Sequence, residues 1–155
     1  MIQEIFGSLL EELGTIMKMK LAPDRNNNCL IKYPNGLRVQ MDYDTGTESI
    51  LIVADLGVPA PGRYRENLFK EALKANGLPP PHPGVFAYSK KADSLVLYTS
   101  VSIIDCTGQK LSEVLGPLIQ RAELWRNAMG RGEIPSFMGT ELSFGKTGGG
   151  IFGLR

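Results

Sequence analysis

A chain of 155 residues is long enough for one domain that buries roughly 68–70% of the surface its unfolded form exposes, and its 43% hydrophobic, 21% charged composition excludes wholesale disorder. Seventeen basic and sixteen acidic residues leave a net charge of +1, so bulk charge points to no nucleic-acid partner. Cys29 and Cys106 are too few for a disulfide scaffold and too far apart for a zinc or redox pair, and a reduced, cytoplasmic setting is expected. The opening MIQEIFGSLLEELG carries acidic residues where a signal or transit peptide has basic ones. No apolar run approaches the ~20 residues of a membrane span, so no membrane insertion is expected.

Ile2, Ile5, Phe6, Leu9, Leu10, Leu13, Ile16 and Met17 recur at three- and four-residue steps and predict an amphipathic helix with Glu11 and Glu12 outside. Pro23 to Asn28 reads as a loop. Cys29 to Tyr33 and Leu37 to Tyr43 form a predicted hairpin, with Asn35-Gly36 supplying positive φ angles at the turn. Leu37, Val39, Met41 and Tyr43 alternate with polar residues, which gives one buried and one wet face. The third strand, Ser49 to Asp55, is apolar on both faces and is expected inside the sheet. Arg63 to Ala75 predicts a helix, with Asn76-Gly77 as a left-handed cap. After a proline-rich connector, Val85 to Ser89 and Leu95 to Ile104 make a second hairpin. A last helix begins from Thr107, with Asp105 or Thr107 as its capping residue, holds Pro117 inside it as a predicted kink, and ends at Gly130. The reading is an α+β domain of order α-β-β-β-α-β-β-α over residues 1–130, its antiparallel sheet flanked by helices. A Gly-rich flexible tail, 131–155, is expected to have no core of its own.

Enzyme chemistry finds no support in the residues. Gly145-Lys146-Thr147 resembles the end of a phosphate-binding loop, but the glycine that would open the motif is Thr140. His82, the single histidine, sits between prolines with no nucleophile or orienting carboxylate nearby in sequence. Cys106 near a helix start reads as a small hydrophobe, and Asp42 and Asp44 read as turn formers. No catalytic residue, cofactor or metal is expected.

The order of elements, together with Leu56-Gly57-Val58-Pro59, the helix closing on Glu71-Ala72-Leu73-Lys74-Ala75-Asn76, the strand Gly84 to Tyr88 and the terminal Ala122-Glu123-Leu124-Trp125-Arg126, resembles the type III secretion chaperones of the Tir chaperone (CesT-like) family, class I. The resemblance runs from Met1 to about Met129. It implies a bacterial, cytoplasmic homodimer that binds the N-terminal segment of secreted effector proteins in extended form. Such a chaperone presents that segment to the secretion apparatus, whose components are further implied partners. Members of the family are commonly acidic, whereas this body is electrically balanced, so apolar contact is the expected source of affinity.

An extended segment binds by adding a strand to a sheet edge and placing side chains in surface pockets. The candidates for that groove are Phe6, Leu9, Leu10 and Leu13 of the first helix with Val39 and Met41 of the second strand. The resemblance assigns the two-fold interface to Leu68, Phe69 and Leu73 with Val85, Phe86, Ala87 and Tyr88. Phe137, Phe144, Ile151 and Phe152 of the tail are candidates to cover the groove. Two other readings stay open: a non-enzymatic α+β module that regulates another partner, and a small enzyme with an unrecognised site.

Overall fold

Phe6, Leu9, Leu10 and Leu13 fall on one face of a 3.6-residue repeat and turn helix α1, Ile2–Met17, toward the interior. The computed structural model describes residues 2–135. After α1 come β1 (Asn28–Lys32), β2 (Arg38–Asp44), β3 (Ser49–Gly57), α2 (Arg63–Asn76), β4 (Val85–Ser89), β5 (Ser94–Ser102) and α3 (Gly108–Gly130). This is the α+β order expected from the periodicities. The strands form one antiparallel sheet in the order β1-β2-β3-β5-β4, with β3 at its centre.

Alternation divides the sheet into two unlike faces. Ile31, Val39, Met41, Ile50, Ile52, Ala54 and Leu97 are buried on the face covered by α1 and α3. From α3, Leu111, Leu115, Leu118, Ala122 and Trp125 complete that core. Phe86 of β4 stacks against Trp125 at 4.3 Å between ring centroids, and the Arg121 guanidinium lies 4.7 Å from the Phe86 ring centroid. Among the described residues no helix covers the opposite face over β3, β5 and β4. There Val53, Tyr98 and Val85 stand in register and are only partly buried, and Leu51 is exposed. The expectation that the third strand lies inside the sheet is met, since β3 is hydrogen-bonded to β2 and β5.

The two long helices meet at a glycine. A Cβ on Gly108 would lie 2.9 Å from both the carbonyl carbon of Glu12 and the amide nitrogen of Leu13, and closer still to the Glu12 Cβ. The Gly108 amide donates to Glu12 Oε1 at 2.7 Å, which ties the start of α3 to α1. Gly108→Ala is expected to destabilise the fold by about 1–3 kcal/mol through overpacking against backbone that cannot swing aside. Denaturant unfolding checks this, and an unchanged midpoint would mean that α1 moves freely away from α3. Thr107 is the residue that caps α3, its hydroxyl accepting from the Lys110 amide. The helix runs unbroken through the exposed Pro117.

Two local expectations need correction. At Asn35-Gly36 only Gly36 takes a positive φ, 94°. Asn35 instead accepts the Leu37 amide through its side chain, while the Gly36 amide donates to the Tyr33 carbonyl. At Asn76-Gly77 the left-handed cap is absent. Gly77 has φ −84° and closes the helix by donating to the Lys74 carbonyl. Residues 133–135, read as part of the tail, contact the body: Ile134 packs on the core, Pro135 is buried, and the Tyr64 hydroxyl donates to the Glu133 carbonyl. The rest of the segment read as a tail, with Phe137, Phe144, Ile151, Phe152 and the Gly145-Lys146-Thr147 motif, lies outside the described residues.

Candidate functional site: an open sheet edge

All six side chains expected to line a groove are core residues. Phe6, Leu10, Leu13, Val39 and Met41 are fully buried and Leu9 is 4% exposed. The apolar stripe of α1 is wide because it is held by the sheet on one side and by α3 on the other, and Phe6 also contacts Tyr43 at 5.6 Å between ring centroids. The second strand is not an edge either, since β2 is hydrogen-bonded between β1 and β3. A partner cannot reach these residues in this conformation, and any groove on this side is formed by their neighbours.

The free edge belongs to β1. Register and the flanking bonds Tyr33 N–H to Leu37 C=O and Tyr43 N–H to Asn27 C=O turn the backbone groups of Asn28, Leu30 and Lys32 away from β2. Those of Asn28 are satisfied by Asp24, whose side chain accepts the Asn28 amide at 3.0 Å and whose amide donates to the Asn28 carbonyl at 2.8 Å. Leu30 and Lys32 have no such partner among the described residues. The Leu30 side chain is 42% exposed beside them. The C-terminal end of α1 and the chain returning from it make a shallow groove of ≈ 710 Å³. Its lining includes Gly14, Thr15, Met19, Leu21 and Ala22. Nearby in sequence Ile16 on α1 is exposed, as is Ile5 near the start of the helix. Sequence reasoning passed over Ile5, Ile16 and Leu30 because they fit the apolar periodicities that predict the elements.

The other edge, β4, is guarded. The Asn76 side-chain amide donates to the Phe86 carbonyl at 2.9 Å, and its oxygen accepts the Phe86 amide at 2.8 Å. Those are the two bonds a neighbouring strand would make. Of the residues assigned to a two-fold interface, Leu68 and Phe86 are buried in the core. Leu73 and Tyr88 are exposed, at 68% and 50%, while Phe69, Val85 and Ala87 are half-buried. Phe69 and Tyr88 face each other at 5.9 Å, so α2 and β4 share one apolar surface. The Tyr88 hydroxyl donates to Asp93, which also holds Arg65 at 3.0 Å, pinning the β4–β5 turn to α2.

The groups weighed for chemistry have structural partners. His82 Nδ1 lies 3.0 Å from the Gly84 carbonyl oxygen. Burial pushes the Cys106 thiol up, away from a reactive thiolate, although Lys110 opposes it. Asp44 accepts from the Thr47 hydroxyl and the Gly46 amide, and these bonds hold its carboxyl below the usual range. Tyr33, half-buried beside β1, is pushed up to about 12 by burial and then by Glu123. Among the described residues no group of three or more His, Cys, Asp or Glu is placed to hold a metal ion, and no helix is long and apolar enough to cross a membrane.

A helix, a three-stranded meander, a flanking helix, a second hairpin and a long covering helix define the fold of the type III secretion chaperones. Residues 8–126 match the Tir chaperone protein (CesT) family, and the chain belongs to that family. Its fold is similar to the solved HopA1–SchA chaperone–effector complex, at 18% identity and TM-score 0.65, covering 81% of this chain and 96% of that one. It is similar to the ExsC–ExsE complex at 16% identity and TM-score 0.64, covering 82% and 95%. It is also similar to the Yersinia pestis type III secretion chaperone SycH in complex with a fragment of YscM2, at 19% identity and TM-score 0.59, covering 76% and 97%. No curated protein matches the sequence.

Proposed function

We propose that this protein is a type III secretion chaperone that binds the N-terminal segment of an effector in extended form and acts as a homodimer in the bacterial cytoplasm. The observation that carries the proposal is the unpaired edge of β1 beside an exposed Leu30. An added strand would bond the Leu30 and Lys32 backbone whatever its sequence, and one set of its alternate side chains would lie beside Leu30. Family membership and the similar fold of solved chaperone–effector complexes support the same reading. No reacting groups are needed for it. The dimer reading rests on the exposed Leu73 and Tyr88 with the half-buried Phe69 beside them, and on Val85 and Ala87 of the uncovered sheet face.

Lys32→Pro tests the site. The Lys32 amide faces away from β2, so proline removes an edge donor without breaking a sheet bond. Capture of effectors from the native cytosol, with the bound region mapped by limited proteolysis, is expected to fall at least about tenfold for the variant. The melting temperature is expected to stay close to that of the parent chain. Capture unaffected by Lys32→Pro, or bound regions mapping outside effector N-termini, would count against the proposal.

A further inference from the structure

The receptive part of the β1 edge is short, and its charge changes along its length. Asp24 already holds the backbone of Asn28, and Pro34, next after Lys32 in the alternation, has no amide to donate. Leu30 and Lys32 are left as the window. The side chains of β1 on the uncovered face stand in rows with β2: Asn28 beside Asp42, Leu30 beside Gln40, and Lys32 beside Arg38. Lys32 and Arg38 form a non-hydrogen-bonded pair, the arrangement that brings facing side chains closest. Both are exposed, and neither makes an ion pair or a side-chain hydrogen bond among the described residues. Asp55, next in that row on β3, accepts the Gly57 amide at 3.0 Å. Two like charges face to face cost the chain stability. At the other end, Asp24 and Asp42 lie beside Asn28. The window thus runs from cationic, through the apolar Leu30, to acidic.

We propose that this edge selects an extended segment with an acidic residue two positions before an apolar one, added antiparallel to β1, the carboxylate opposite Lys32 and the apolar side chain against Leu30. The meaning for cargo choice rests on the chaperone reading above; the contact itself does not. Main-chain bonds to Leu30 and Lys32 are indifferent to sequence, so the side chains decide between segments. An antiparallel strand meets Lys32 before Leu30, which places the acidic residue first. In the reverse order, with the apolar residue again at Leu30, the carboxylate would fall opposite Asn28, near Asp24 and Asp42. A lysine on a sheet edge repels chance pairing, and with Arg38 beside it the repulsion is directed at cationic strands while an anionic one is drawn in. A second copy of β1 is a poor occupant, since Asn28, Leu30 and Lys32 offer no carboxylate.

Amide chemical shifts of the full chain, followed by NMR during peptide titrations, decide the matter. Three synthetic peptides, capped at both ends and otherwise built of serine and threonine, carry Glu-Thr-Leu, Lys-Thr-Leu or Leu-Thr-Glu at their centre. The first is expected to bind at least about fivefold more tightly than either of the others, with the largest shifts at Leu30 and Lys32. In Lys32→Glu, a change at an exposed side chain, the preference for Glu-Thr-Leu over Lys-Thr-Leu should disappear. Unmoved Ile52 and Ala54 amides in central β3 show that the fold is intact. Equal affinity for the three peptides in the parent overturns the proposal, and so does a preference that persists in Lys32→Glu. No shift at Leu30 and Lys32 with any peptide overturns it as well, and leaves the lysine as a guard alone. Shifts there on concentrating the protein without peptide also overturn it, because the occupant would then be a second copy. If the peptide preference holds while Lys32→Pro leaves effector capture unchanged, the inference stands and the chaperone reading of this edge falls. If Lys32→Pro abolishes capture and the peptides are not distinguished, the inference alone falls.

Discussion

Leu73→Asp is expected to convert the proposed dimer into monomer or aggregate while leaving the fold of each protomer in place. Leu73 is 68% exposed on α2, so the substitution creates no cavity and buries no charge within one chain. In a dimer it would set a carboxylate into an apolar contact made with Phe69 and Tyr88, and two-fold symmetry would do so twice. A standard interface buries roughly 1,600 Å², and an unpaired charge at its centre costs several kcal/mol, so dimer affinity should fall a hundredfold or more. Sedimentation of parent and variant at tens of micromolar gives the answer. A parent that sediments as a monomer there would remove the dimer from the proposed function. A variant that remains dimeric would move the interface elsewhere, with the uncovered Leu51, Val53 and Tyr98 surface as the next candidate.

Phe6→Ala is expected to destabilise the protein by about 3–5 kcal/mol, the range for a fully buried aromatic ring, and Leu10→Ala by about 2–5 kcal/mol. Both side chains are completely enclosed, so loss of effector capture in these variants should follow loss of fold in proportion. Ile16→Asp, on an exposed position of the same helix, should spare stability and impair capture alone. Thermal unfolding and capture measured on the three variants separate the two cases. A Phe6→Ala chain that stays stable and loses capture would return the α1 stripe to the groove and refute the assignment of that face to the core.

How much of this was legible in the sequence depended on how far each signal had to reach. Period-3.6 and period-2 patterns are local, and they placed all eight elements in the right order. Even Thr107, named with Asp105 as a possible cap, was resolved only by which hydroxyl meets the Lys110 amide. The two Asn-Gly pairs show the limit of local signals. Both read as devices for positive φ, yet only Gly36 uses it, while Asn76 serves a strand ten residues away. The burial of the groove candidates was hidden for a longer-range reason. Whether Phe6 and Leu13 face a partner or the core depends on how closely α3 approaches α1. That approach is set at Gly108, which in sequence is only a small residue after a cap. Edge status was equally hidden, because strand order decides it and β1 and β2 have similar patterns. Ile16 and Leu30 were visible as apolar residues, but their exposure becomes visible only after the sheet and both helices are assembled.

The paired bonds from Asn76 to Phe86 give the sheet a direction. A protomer with two receptive edges could take a strand on each side and serve as a link in an open-ended chain, the geometry by which fibres grow. With β4 closed at Phe86 by a side chain of its own helix, the sheet has a combining number of one at its edges. Whatever pairs with β1 ends the series. A protein that handles unpaired strands can therefore be abundant without its own sheets propagating into one another.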